Sequence, residues 1–143
     1  MLVTILTRLP HLYKPLTADI SPILKLINHR NWHVRGTAYK ALTNTGHSVE
    51  HILIDRLKIP PKTDDISYII YALLYVGTKD ALPVIEPYLK SRNHSINNSA
   101  ISAYTTISLR EKFPPDVIAK KARVSVTYVE RINERLDLLT QPG

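Results

Sequence analysis

Residues 31–42 read Asn31-Trp32-His33-Val34-Arg35-Gly36-Thr37-Ala38-Tyr39-Lys40-Ala41-Leu42, with a glycine at Gly46 shortly after. Val34, Ala38, Ala41 and Thr45 fall on one stripe of an α-helix, the spacing expected of a face turned toward a core. Gly46 supplies a stop, because glycine takes the left-handed backbone at little cost. Working outward, Ile20, Ile23, Leu24, Leu26 and Ile27 have helical spacing too, with Asp19 or Ser21 as a cap and Pro22 in the first turn. Asn28 to Asn31 form the break between two helices.

This pair recurs. Shifting the chain by 31 residues aligns Ile23, Ile54 and Ile85, then Leu26, Leu57 and Tyr88. The same shift aligns Val34, Asp65 and Ile96, then Ala38, Ile69 and Ala100, then Ala41, Ala72 and Ala103. Gly46, Gly77 and Ser108 close each unit, and at 62 residues Arg30-Asn31 recurs as Arg92-Asn93. The pattern predicts helices over Val49–Leu57, Asp65–Val76, Ala81–Leu89 and Ser95–Ser108, with Pro60-Pro61, Pro83, Pro87 and Pro114-Pro115 near starts and turns. Alanine columns let neighbouring helices approach closely, and no single unit can bury its stripe alone.

The run from Asn31 to Leu42 closed by Gly46 resembles the HEAT-like helical repeat, particularly its short phycobilisome-lyase type. The resemblance covers about residues 17–109 and is fullest in the first unit. Arg35 gives way to Ile66 and Asn97 in the later units, and the usual aspartate of the preceding loop is missing. It implies an all-α fold, a short α-solenoid of about three helix pairs, whose second helices line a concave binding surface. Around residues 17–109, a capping helix is expected within 1–16 and a capping helical pair within 110–143, in one domain spanning 1–143.

Composition narrows the function. The chain has 143 residues, no cysteine, and 19 basic against 12 acidic side chains. Disulfides, thiolate metal sites and cysteine nucleophiles are excluded, and a reducing cytoplasm is the expected setting. The longest apolar run, Ile69 to Val76, is too short to span a bilayer. Residues 1–60 carry eight basic and three acidic side chains, and residues 110–135 carry seven and four. Such a surplus suits an anionic partner, whether nucleic acid, a membrane surface or an acidic protein, and it equally suits solubility alone.

Projection of the second helices places Gly36, Tyr39, Lys40 and Thr43 opposite the alanine stripe, with Ser67, Ile70, Tyr71 and Leu74, then Asn98, Ile101, Ser102 and Thr105 in register. Tyr39, Ile70, Tyr71, Leu74 and Ile101 would form an apolar ridge, with Lys40 and Arg35 at one end. That is the expected site for a protein partner of acidic or mixed surface, or for a second copy of the chain. Blocking or positioning such a partner is the job of an immunity protein against a toxin, or of an adaptor.

The alternative is nucleic acid. Residues 116–135 resemble the helix-turn-helix of bacterial repressors, on Ala119, Ala122, Val124-Ser125, Val129, Arg131 and Ile132. By that resemblance Ser125, Val126, Thr127, Tyr128 and Arg131 would face DNA, with Lys120, Lys121 and Arg123 near phosphates. The turn glycine of that family is Arg123 here. The competing reading is a last capping pair, with Val129, Ile132, Leu136 and Leu139 turned inward.

Catalysis is not expected. His47-Ser48-Val49-Glu50-His51 spells the H-x-x-E-H of one zinc peptidase family, but reads better as the first turn of a solvated repeat helix. Asp64-Asp65 at a helix start is best explained as capping. Four glycines, at 36, 46, 77 and 143, leave no glycine-rich phosphate loop. No cofactor, metal or membrane contact is expected.

Overall fold

The computed structural model describes residues 20–44, 49–59 and 63–140. The expected N-terminal helix, Gly46, His47, Pro60-Pro61 and the Leu139 side chain lie outside that description. Every regular element among the described residues is helical. The chain divides into two compact units, residues 1–77 and 78–143, so the boundary follows Gly77, the second closing position of the 31-residue repeat.

In the first unit, α1 (Ser21–Leu26), α2 (Trp32–Leu42), α3 (Glu50–Lys58) and α4 (Thr63–Val76) form two pairs. α1 packs on α2, α3 on α4, and α2 on α4. Asn31 caps α2: its side-chain oxygen accepts from the amides of His33 (2.8 Å) and Val34 (3.4 Å), satisfying donors that the helix cannot pair itself. α1 has no side-chain cap at Ile20, and Ser21 is already its first residue with Pro22 next.

In the second unit, the stretch expected as one helix over Ala81–Leu89 is three short pieces. They are a 3-10 turn Lys79–Ala81, α5 (Leu82–Ile85) and a 3-10 turn Glu86–Lys90. Pro83 and Pro87 open the last two pieces. Neither proline has the N–H that a continuous helix would need from it. Then come α6 (His94–Arg110), α7 (Pro115–Ala122) and α8 (Val126–Thr140). Asn93 caps α6 through Ile96 N–H at 3.2 Å. The recurrence of Asn31 as Asn93 is therefore a repeated helix cap.

The alanine columns form the cores as expected. Ala38, Ala72, Ala100 and Ala103 are wholly buried, and Ala41 is 1% exposed. Ser108 differs from the expected unit end: it is buried inside α6, which runs on to Arg110. The helix closes instead at Lys112, whose φ is 65°. There Phe113 N–H bonds Ser108 C=O and Lys112 N–H bonds Leu109 C=O, both at 3.0 Å, the paired closure of a Schellman motif. No described helix is long and apolar enough to cross a membrane.

Candidate binding surface

α2 and α4 position most of the expected ridge, and they divide it. Tyr39 and Ile70, expected on an open face, are 1% and 0% exposed, and Arg35 is buried as well. The cause is that each helix has neighbours on two sides, α1 and α4 around α2, and α2 and α3 around α4. Such a helix buries far more than one stripe. Gly36 is inward too, with the Tyr68 ring so close that an added Cβ would lie 2.6 Å from its Cζ. Lys40 and Tyr71 are exposed, and Leu74 is half-buried. Ile101, in the second unit, is half-buried on α6.

One turn beyond Tyr71, the sequence reading missed Tyr75. The two rings meet edge to face, with centroids 5.1 Å apart and planes at 67°. Their hydroxyls are 3.0 Å apart, and the residues are 42% and 53% exposed. The hydrogen bond with Tyr71 is the main reason the Tyr75 phenol is pushed above its ordinary pKa, with partial burial next; Lys40 pulls it the other way. Lys40 therefore lies within electrostatic reach of the pair. The i, i+4 spacing of Tyr71 and Tyr75 on one helix was the signal available.

A polar network joins α2 to α3 and α4. Arg35 Nε donates to both carboxylate oxygens of Asp65, at 2.9 and 3.1 Å, and its Nη1 donates to the carbonyls of His29 (2.8 Å) and Arg30 (3.0 Å). Asp65 is thus a buried counter-ion inside α4 and not a helix cap. Arg56 Nε donates to the Tyr39 hydroxyl at 3.0 Å. Burial is the foremost cause raising the Tyr39 pKa, so that acceptor is a neutral phenol. A cleft of about 370 Å³ opens here, walled by His29, Arg30, Arg35, Arg56 and Asp65 over Ile27.

In the second unit, the 116–135 segment has the step its sequence suggests. α7 ends at Ala122, Arg123 sits at φ 60°, ψ 44°, and α8 begins at Val126. Arg123 supplies the left-handed turn that a glycine would otherwise make. Val124 N–H returns to Ala119 C=O at 3.1 Å. Leu109, Ile118, Ala119 and Val129 form the core, with Val124, Tyr128, Ile132 and Leu136 packed against it. Two residues expected to face DNA are otherwise engaged: Ser125 Oγ accepts from Tyr128 N–H at 3.1 Å, and the Tyr128 side chain joins that cluster. Lys120, Arg123, Thr127 and Arg131 are exposed, and Lys121 pairs with Glu86 at 3.3 Å. The exposed side of α8 also carries Glu130, Glu134 and Asp137.

Glu50 and His51 open α3. Among the described residues no three His, Cys, Asp or Glu side chains gather as a metal site would require. No protein-family model, curated protein or solved structure matches the chain.

Proposed function

We propose that this chain is a short helical-repeat module of the HEAT-like kind that binds a protein partner, without catalysis, through Lys40, Tyr71, Leu74 and Tyr75. The observation that carries the reading is the exposed, mutually hydrogen-bonded Tyr71–Tyr75 pair. Two large rings already held against one another lose little freedom on binding. They present apolar area with a polar edge, the chemistry enriched at the centre of protein interfaces. Lys40 beside them favours an acidic or mixed partner surface.

The test is quantitative affinity capture from the native cell background, comparing the wild type with Tyr71→Ala/Tyr75→Ala. Both side chains are exposed, so the variant should keep its helicity and melting temperature while losing its specific partner. A partner retained at equal yield by the folded variant would overturn the proposed surface.

A second reading, nucleic-acid binding through α7 and α8, is favoured by the left-handed Arg123 and the eight-residue helix, short turn and second helix around it. Glu130, Glu134 and Asp137 weigh against it, because they repel phosphates where α8 would approach a groove. Anisotropy of labelled duplex DNA and structured RNA, from low to physiological salt, separates the readings. Binding that survives physiological salt and weakens on replacing Lys120 and Arg123 would favour this one.

A further inference from the structure

We propose that the cleft between the α1–α2 loop, α3 and the start of α4 is a binding site for a phosphoryl dianion, gripped by Arg56 and Arg30. The site is separate from the tyrosine surface and does not depend on it. Its floor and walls come from one unit and from four parts of its sequence: Ile27 to Arg30, Arg35, Arg56 and Asp65.

The charge count selects the ligand. Three arginines and one aspartate line the cleft, and Arg35 is neutralised by Asp65. Arg30 and Arg56 have no carboxylate within salt-bridge distance among the described residues. Among the described residues that leaves a surplus of two positive charges, which matches a phosphate monoester, while a carboxylate would satisfy only half of it.

The donors are also held in place. Arg56 is tethered through its Nε by the Tyr39 hydroxyl, which leaves both terminal amino groups of the guanidinium for an oxyanion. A phenol kept neutral by its burial anchors the guanidinium without cancelling its charge. Arg35 grips the carbonyls of His29 and Arg30 and so fixes the loop that carries the other donors. His29 Nδ1 accepts from Asn31 N–H at 3.0 Å, which leaves the proton on Nε2 as a further donor. The buried Arg35–Asp65 pair is thus a frame, and Arg56, Arg30 and His29 are the contacts.

The experiment is an amide and arginine Nε–H NMR titration of the full chain with inorganic phosphate, then with acetate, at ionic strength held constant with chloride. Saturable shifts at residues 28–31, 35 and 56 with phosphate, and weaker ones with acetate, are expected. Arg56→Gln should weaken phosphate by about tenfold or more, the scale of a lost charged hydrogen bond. Arg30→Gln, at an exposed position, should weaken it several-fold with the fold intact, which guards against a variant that fails to fold. Non-saturating shifts, equal affinity for acetate, or unchanged affinity in a folded Arg56→Gln protein would each overturn the site. A phosphoserine peptide added as a second ligand distinguishes sources. Binding tighter than inorganic phosphate points to a phosphorylated protein, and equal binding points to a small phosphate compound.

Discussion

Arg35 and Asp65 form an ion pair whose side chains are 7% and 4% exposed. Taking both charges out of water is costly, and the geometry offsets that cost only while the two remain together. Asp65→Ala should therefore destabilise the protein by about 3–5 kcal/mol, because it strands the Arg35 cation. The double variant Arg35→Met/Asp65→Leu should recover most of that loss. Urea midpoints of the three proteins check this, and a double variant no better than Asp65→Ala would show that the pair does more than neutralise itself. In the sequence, Asp65 occupies the column of Val34 and Ile96, and an acid in an apolar column needs a buried cation. Arg35, next to Val34, was the nearest candidate, but a capping role explained the aspartate locally and hid the pairing. Thr105 and Ser108 show the opposite case. Among the described residues their buried hydroxyls find no hydrogen-bond partner, so Thr105→Val, which keeps the shape and removes the orphan, should stabilise the protein by about 1 kcal/mol. A lower melting temperature would mean that the hydroxyl is satisfied in solution.

At the scale of elements, periodicity reported helices well and their ends less well. The alanine columns were legible because only small side chains permit close helix approach, and they are buried in both units. α6 and α7 close at Lys112 and Arg123, both with positive φ; the first lies beyond the unit end expected at Ser108, and the second is the position where the helix-turn-helix resemblance puts its turn. A strong hydrophobic contact after the turn, such as Val124 against the Leu109–Ile118 cluster, holds a non-glycine residue in left-handed backbone that costs it about 1–2 kcal/mol. Arg123→Gly should relieve most of that, less the extra freedom it gives the unfolded chain. The expected gain is about 0.5–1 kcal/mol with the α7–α8 step unchanged. Thermal unfolding of the variant measures it; an unaltered or lowered midpoint would mean that the arginine side chain itself stabilises the turn. The missed ridge assignments have a different origin. A single stripe is the right guess for a helix with one neighbour, while Tyr39 and Ile70 belong to helices flanked on two sides, and sequence periodicity does not count neighbours.

Across the whole molecule, tyrosine chemistry links the two units to pH. Tyr39 in the first unit and Tyr104 in the second are nearly inaccessible, and burial is the main cause raising each phenol above its ordinary pKa. Glu86 raises Tyr104 further while Lys121 opposes it. A phenol with a raised native pKa binds its proton more tightly folded than unfolded. The stability it contributes is complete below about pH 10, the unfolded value, and is lost as pH climbs through the native value. Each buried tyrosine can lower stability by at most about 1.4 kcal/mol per pH unit in that window. Tyr75 is raised in the same direction, but it is 53% exposed and contributes little. The chain also passes through its isoelectric point near 9.7 in this range, so the wild-type slope alone is ambiguous. Tyr39→Phe and Tyr104→Phe share every lysine with the wild type, so their difference from it isolates the phenols. Urea midpoints at pH 8, 10 and 11 should fall more steeply for the wild type than for either variant, and least for the pair combined. Tyr39→Phe should also lie below the wild type at pH 8, because Arg56 Nε loses its acceptor, whereas the Tyr104 hydroxyl holds no such bond among the described residues. Parallel curves across all four proteins would mean that both phenols ionise freely, and that the packing around α2 and α6 opens before pH 11 is reached.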